Sequence, residues 1–152
     1  MEKKYLKLPC QEVPNQLFLH AIEHCEKDTE FDQIMAFLLI DIGVETLLKF
    51  YLCNEIKINY SSLDRIEYYD LVDKIVEMTE YNLEDCDLPK IIYYHNIRNN
   101  ISHLRDDVMT KKTYVEDYSK LAIKLMNVLL NIKVVDNKYL NELIRECVRK
   151  DV

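Results

Sequence analysis

At 152 residues the chain makes one domain, long enough to bury a real core without disulfide or metal staples. A single Gly and three Pro, set against abundant Leu, Ile, Lys, Glu and Asn, predict an all-α protein. The formal net charge of -7 excludes a surface that coats nucleic acid indiscriminately, though not a local basic site.

In chain order, Pro9 and Pro14 bracket an irregular leader over residues 1–14. Leu17, Ala21, Ile22 and Cys25 then recur at helical spacing and predict a first helix over about Asn15–Lys27. Asp28 or Thr29 can cap a second, from about Glu30 to Cys53. Ser61 or Ser62 is a fitting cap for a third through Leu63, Ile66, Leu71, Ile75 and Met78. The acidic stretch Tyr81–Leu88 reads as a loop, and Pro89 suits the first turn of a fourth helix ending near His103. A fifth helix is expected over about Thr113–Lys133, with Tyr114, Tyr118, Leu121, Leu125, Val128 and Leu129 as its apolar stripe. A short sixth, Asn137–Lys150, closes the chain within the C-terminal segment 134–152. Long helices with short joints predict an antiparallel four- to five-helix bundle, a single domain spanning 1–152 with its core at about 15–133.

Several functions are set aside by what the chain lacks. Its five cysteines are scattered and form no C-x-x-C pair, which argues against structural zinc. The start, Met1-Glu2-Lys3-Lys4-Tyr5, has no apolar export segment, so reduced thiols and a cytoplasmic location are expected. The most apolar run, Ile34–Leu52, carries Asp41, Glu45 and Lys49, too many charges for a comfortable membrane span.

Chemistry concentrates in Ile92–His103. Arg98 matches phosphate geometry with two parallel donors, and histidine is the side chain best suited to proton transfer near neutral pH. Asn99 and His103, four apart, share a helix face, as do His95 and Asn99. Arg98 lies about 140° from His103 on an ideal helix, so one straight helix does not aim both at the same atom. Either the helix frays before His103 or a second copy completes the pair across a two-fold axis, which makes a homodimer attractive. His95 reads as a partly buried residue among Tyr93, Tyr94 and Ile97. Lys90, Arg98, Arg105, Lys111 and Lys112 against Asp106 and Asp107 give this segment a balance of +3 in an otherwise acidic chain. RNA would be confined there, with Arg105, Lys111 and Lys112 as phosphate contacts. The matching reaction is RNA transesterification, with His103 as general base or acid, Arg98 as phosphate clamp and Asn99 orienting His103.

Asp41, Glu45 and Lys49 draw a polar line along the apolar second helix. It reads either as an exposed seam with a Glu–Lys pair or as a seam facing the Arg98/His103 groove. Glu45-Thr46-Leu47-Leu48-Lys49 with its aromatic end resembles the E-x3-K element of HEPN domains. Arg98-Asn99-Asn100-Ile101-Ser102-His103 is similar to their R-x4-H, polar neighbour included, and the order of the two elements matches over about Asn15–Ile132. That resemblance to the HEPN superfamily implies a helical bundle that dimerises through the motif helices and a metal-independent endoribonuclease without cofactors. Its products would carry a 2′,3′-cyclic phosphate, and its role would be that of a toxin or phage-defence effector. It implies Arg98, Asn99 and His103 as catalytic residues, with Asp41, Glu45, Lys49 and Ser102 in support. Its partners would be RNA, a second copy, and an antitoxin or regulatory protein. HEPN toxins paired with a minimal nucleotidyltransferase often carry a tyrosine two residues after the histidine; this chain has Arg105. Two other classes stay open: a non-catalytic HEPN module that binds RNA or protein, and an unrelated helical interaction protein.

Overall fold

The computed structural model describes residues 9–27, 29–102 and 112–130. Among them the fold is an all-α helical bundle: α1 (Pro9–Glu26), α2 (Glu30–Asn54), α3 (Tyr68–Met78), α4 (Leu88–Ser102) and α5 (Lys112–Leu129), with no strand. The fifth helix as expected to Lys133 is described to Leu129, and the sixth, Asn137–Lys150, lies outside the described residues.

Two of the expected boundaries are corrected. The irregular leader through residue 14 does not hold, because α1 starts at Pro9 with Pro14 inside it. Pro9 suits a first helical position, where its missing N–H is no loss. Pro14 forfeits one backbone bond only a turn from the end, and its own side is buried against the core. The third helix starts at Tyr68, not at Leu63. Asn59 accepts from the Ser61 amide at 3.2 Å and Ser62 donates to the Asn59 carbonyl at 2.7 Å. These bonds close the 3-10 turn Tyr60–Ser62, which engages the Ser62 hydroxyl and places both serines five or more residues before the helix starts.

The α1–α2 corner is built from local chemistry. Thr29 caps α2 by accepting from the Asp32 amide at 3.0 Å, and Thr29 and His24 hydrogen bonds hold the Asp32 carboxyl below its ordinary value. Buried Gln33 donates to the Cys25 carbonyl at 3.1 Å, locking the antiparallel hairpin. Along it, the Phe18 ring fills the space above Gly43, where a Cβ would stand 2.6 Å from Cε1. Glycine is required there by close approach. Helix α5 lies antiparallel to α4: Lys90 pairs with Asp117 at 2.8 Å, and four residues further along α4 Tyr94 meets Tyr114. Phe37, Tyr94 and Tyr118 form an aromatic cluster at the centre, with Leu47, Leu48, Leu52, Ile75, Ile91 and Leu125 extending the core.

Helix α2 is apolar nearly all round, as befits a central helix. One strip of it still faces outward: Phe31 is 68% exposed and Ile42 40%, with Met35 and Leu38 half-buried between them. No helix among the described residues is long and apolar enough to cross a membrane.

Candidate functional site

Tyrosines apart, four polar side chains are buried among the described residues, and two of them, Asp41 and His95, bond to each other. Asp41 lies midway along α2 and is 1% exposed. A carboxylate there is costly unless donors converge on it. Three do, from two other helices. The Tyr118 hydroxyl of α5 donates to Oδ1 at 2.7 Å. His95 Nδ1 of α4 sits 3.1 and 3.0 Å from the two carboxylate oxygens. Arg98 Nε approaches Oδ2 at 3.5 Å, an ion pair that falls short of hydrogen-bond geometry.

The network continues outward along α4. Asn99 Nδ2 lies 3.3 Å from His95 Nε2, and Arg98 Nη1 donates to Asn99 Oδ1 at 3.2 Å. These contacts follow from helical spacing: His95 and Asn99 are one turn apart, and Arg98 stands beside both. The His95 ring is clamped by Tyr68 of α3, stacked parallel at 3.6 Å between centroids with 5° between planes. The Tyr68 hydroxyl lies close to Tyr118 but meets no group in hydrogen-bonding geometry.

Burial pushes both phenols well above their ordinary range, and the Asp41 charge adds to it; each is also raised or lowered by the other's hydroxyl. Tyr118 is therefore a fixed donor to Asp41 at any ordinary pH. Arg98 is 31% exposed, with Nε toward Asp41 and Nη1 on Asn99. The arrangement can therefore orient a cation at the edge of the bundle and hold an imidazole in one tautomer behind it.

The residues singled out in the sequence divide into three sets. Asp41, Arg98 and Asn99 come together as one cluster. Glu45 and Lys49 do not join it; they pair with each other at 3.2 Å further along α2, Glu45 38% and Lys49 21% exposed. The polar line Asp41–Glu45–Lys49 is thus not one seam, although the Glu45 charge still reaches Tyr68. His103, Arg105 and Lys111 lie outside the described residues, Ser102 ends α4, and Lys112 opens α5 half-buried. His95, expected as a partly buried residue sharing a face with Asn99, is buried, meets Asn99, and also binds Asp41 across the bundle. Tyr118 belongs to the apolar stripe expected of the fifth helix, and its polar role, like the place of Tyr68 against His95, carries no sequence signal beyond the rule that a buried phenol seeks a partner.

Two open clefts lie elsewhere, one lined by Val76, Thr79, Leu83 and Pro89, the other by Ser61, Arg65, Asp70 and Lys74. Neither is lined by a buried polar side chain. Among the described residues no group of three or more His, Cys, Asp and Glu could hold a metal ion, and Cys25, Cys53 and Cys86 form no disulfide. Fold and site together define an all-α bundle built round a carboxylate–histidine–asparagine–arginine network. No family model, no curated protein and no solved structure matches the chain.

Proposed function

We propose that this protein is an endoribonuclease of the HEPN type that needs no metal ion and serves as a toxin or phage-defence effector. The observation that carries the reading is a fully buried carboxylate that meets Arg98 and His95. Apolar residues of similar size would often stabilise such a site equally well or better, so an expensive polar cluster at a helix end points to chemistry.

In this reading Arg98, braced by Asp41 and Asn99, presents its remaining donors to a phosphoryl oxygen as negative charge grows there. His103, five residues on, takes the proton of the ribose 2′-OH or supplies one to the leaving 5′-oxygen. The attack leaves a 2′,3′-cyclic phosphate and requires RNA. On an ideal helix Arg98 and His103 are about 140° apart, and that offset favours a composite site from two copies. The outward strip of Phe31, Met35, Leu38 and Ile42 on α2 supports such a homodimer, because exposed apolar patches of this kind mark association surfaces.

The test is incubation of the purified chain with RNA in EDTA, followed by end-group analysis. Cyclic-phosphate ends, intact DNA and a loss of about 10²–10⁴-fold in both His103→Ala and Arg98→Ala are expected. An unchanged rate in folded His103→Ala overturns the mechanism. RNA that is bound but never cut turns the reading to the non-catalytic binding module.

A further inference from the structure

The bonds from Asp41 to Arg98 contain a constraint that no single member shows. The Asn99 amide has one accepting end and one donating end. Arg98 Nη1 can only donate, so it takes Oδ1 at 3.2 Å and leaves Nδ2 facing His95 Nε2 at 3.3 Å. Nε2 can accept that bond only while it carries no proton. Asp41 secures this arrangement from the other side, because a carboxylate accepts from Nδ1 at 3.0 Å and so keeps the ring proton there.

A second proton on His95 sets N–H against N–H across the contact with Asn99. Turning the amide to offer Oδ1 to His95 repairs that contact and places Nδ2 against Arg98 Nη1, again donor against donor. One amide cannot serve both neighbours once His95 is charged, and the guanidinium loses its brace.

We propose that His95 is the positioning residue for Arg98: its neutral tautomer, fixed by Asp41, sets the Asn99 amide, and the amide sets the guanidinium. Proton uptake by His95 then frees Arg98. The groups that face His95 are Asp41 from α2, Tyr68 stacked on its ring from α3, and Arg98 and Asn99 from its own helix. Tyr118 of α5 and Glu45 of α2 act one contact further out, through Asp41 and Tyr68 respectively. The consequence for cleavage rests on the ribonuclease reading; the coupling of the three side chains does not.

The experiment is therefore run without RNA. Side-chain nitrogen–proton NMR spectra of the full chain are recorded between about pH 8 and pH 5, across the ordinary range of histidine titration. The Asn99 amide and the Arg98 Nε–H signals are expected to move with the same midpoint as the His95 ring. His95→Gln retains a donor for Asp41 and an acceptor for Asn99, so both signals stay fixed in it. Asn99→Asp offers only acceptors, so it keeps Arg98 in place whatever the charge on His95. Signals that stay still through the wild-type range, or that move equally in His95→Gln, overturn the proposal; should His95→Gln fail to fold, Asn99→Asp decides. Cleavage is scored separately. RNA left intact by a wild type whose three signals move together removes the ribonuclease reading and leaves the positioning of Arg98 standing.

Discussion

Helix α2 carries two carboxylates one turn apart that live in different media. Asp41 is 1% exposed and is met by Tyr118, His95 and Arg98 from two other helices. Glu45 is 38% exposed and meets only Lys49 of its own helix among its ion-pair partners. The surface pair stands in water and contributes a few tenths of a kcal/mol, as such pairs do. The buried carboxylate ties three helices together, and losing it strands its partners. Charge pairs of the same type thus serve two ends: one decorates a helix, the other organises a site.

The largest expected difference follows directly. Asp41→Ala should cost about 3 kcal/mol in chemical denaturation, the lower end for a broken buried pair, because Arg98 keeps a third of its surface in solvent. A loss below about 1 kcal/mol would place Asp41 with the surface pair and dissolve the contrast.

Next comes alkaline pH, which reaches the buried phenols. Burial raises Tyr68, Tyr94 and Tyr118 above the ordinary phenol value. Their contribution to stability is fully present below about pH 10, where the unfolded chain also keeps its protons, and is lost as pH climbs toward the folded values. Melting temperature should be level to about pH 10 and fall beyond it, together with tyrosinate absorbance. Tyr118→Phe should flatten part of that fall; an unchanged slope in this variant would show that the phenol does not report on the cluster.

The smallest effect belongs to the surface. A double-mutant cycle on Glu45 and Lys49 should give about 0.3–0.5 kcal/mol, shrinking in high salt, whereas a cycle on Asp41 and His95 keeps its larger coupling there. Equal salt sensitivity of the two cycles would contradict the burial of the second.

Much of the fold was legible because it is written locally. Asp28 or Thr29 announced the start of α2, where Thr29 is the cap, and composition announced an all-α chain. What failed was what depends on competition or distance. Ser61 and Ser62 looked free to cap, yet both lie in the 3-10 turn that Asn59 opens, with the Ser62 hydroxyl on the Asn59 carbonyl. The line Asp41–Glu45–Lys49 looked straight, but each four-residue step overshoots a full turn by about 40°, and the first step already leaves the core: Asp41 is 1% exposed, Glu45 38% and Lys49 21%. Arg98 and Asn99 stood out by residue type. His95 did not, because its neighbours in sequence are tyrosines and its partner Asp41 lies 54 positions away. No local pattern encodes that pairing, and the geometry of three helices is needed to see it.

The claim at the centre is that the buried network exists to present a planar, forked cation to phosphate. Arg98→Lys tests it most directly, since lysine keeps the charge and loses the fork. RNA cleavage in EDTA by a variant shown to be folded, and to share the oligomeric state of the wild type, should fall by about 10²-fold. Cleavage at the wild-type rate would contradict the account.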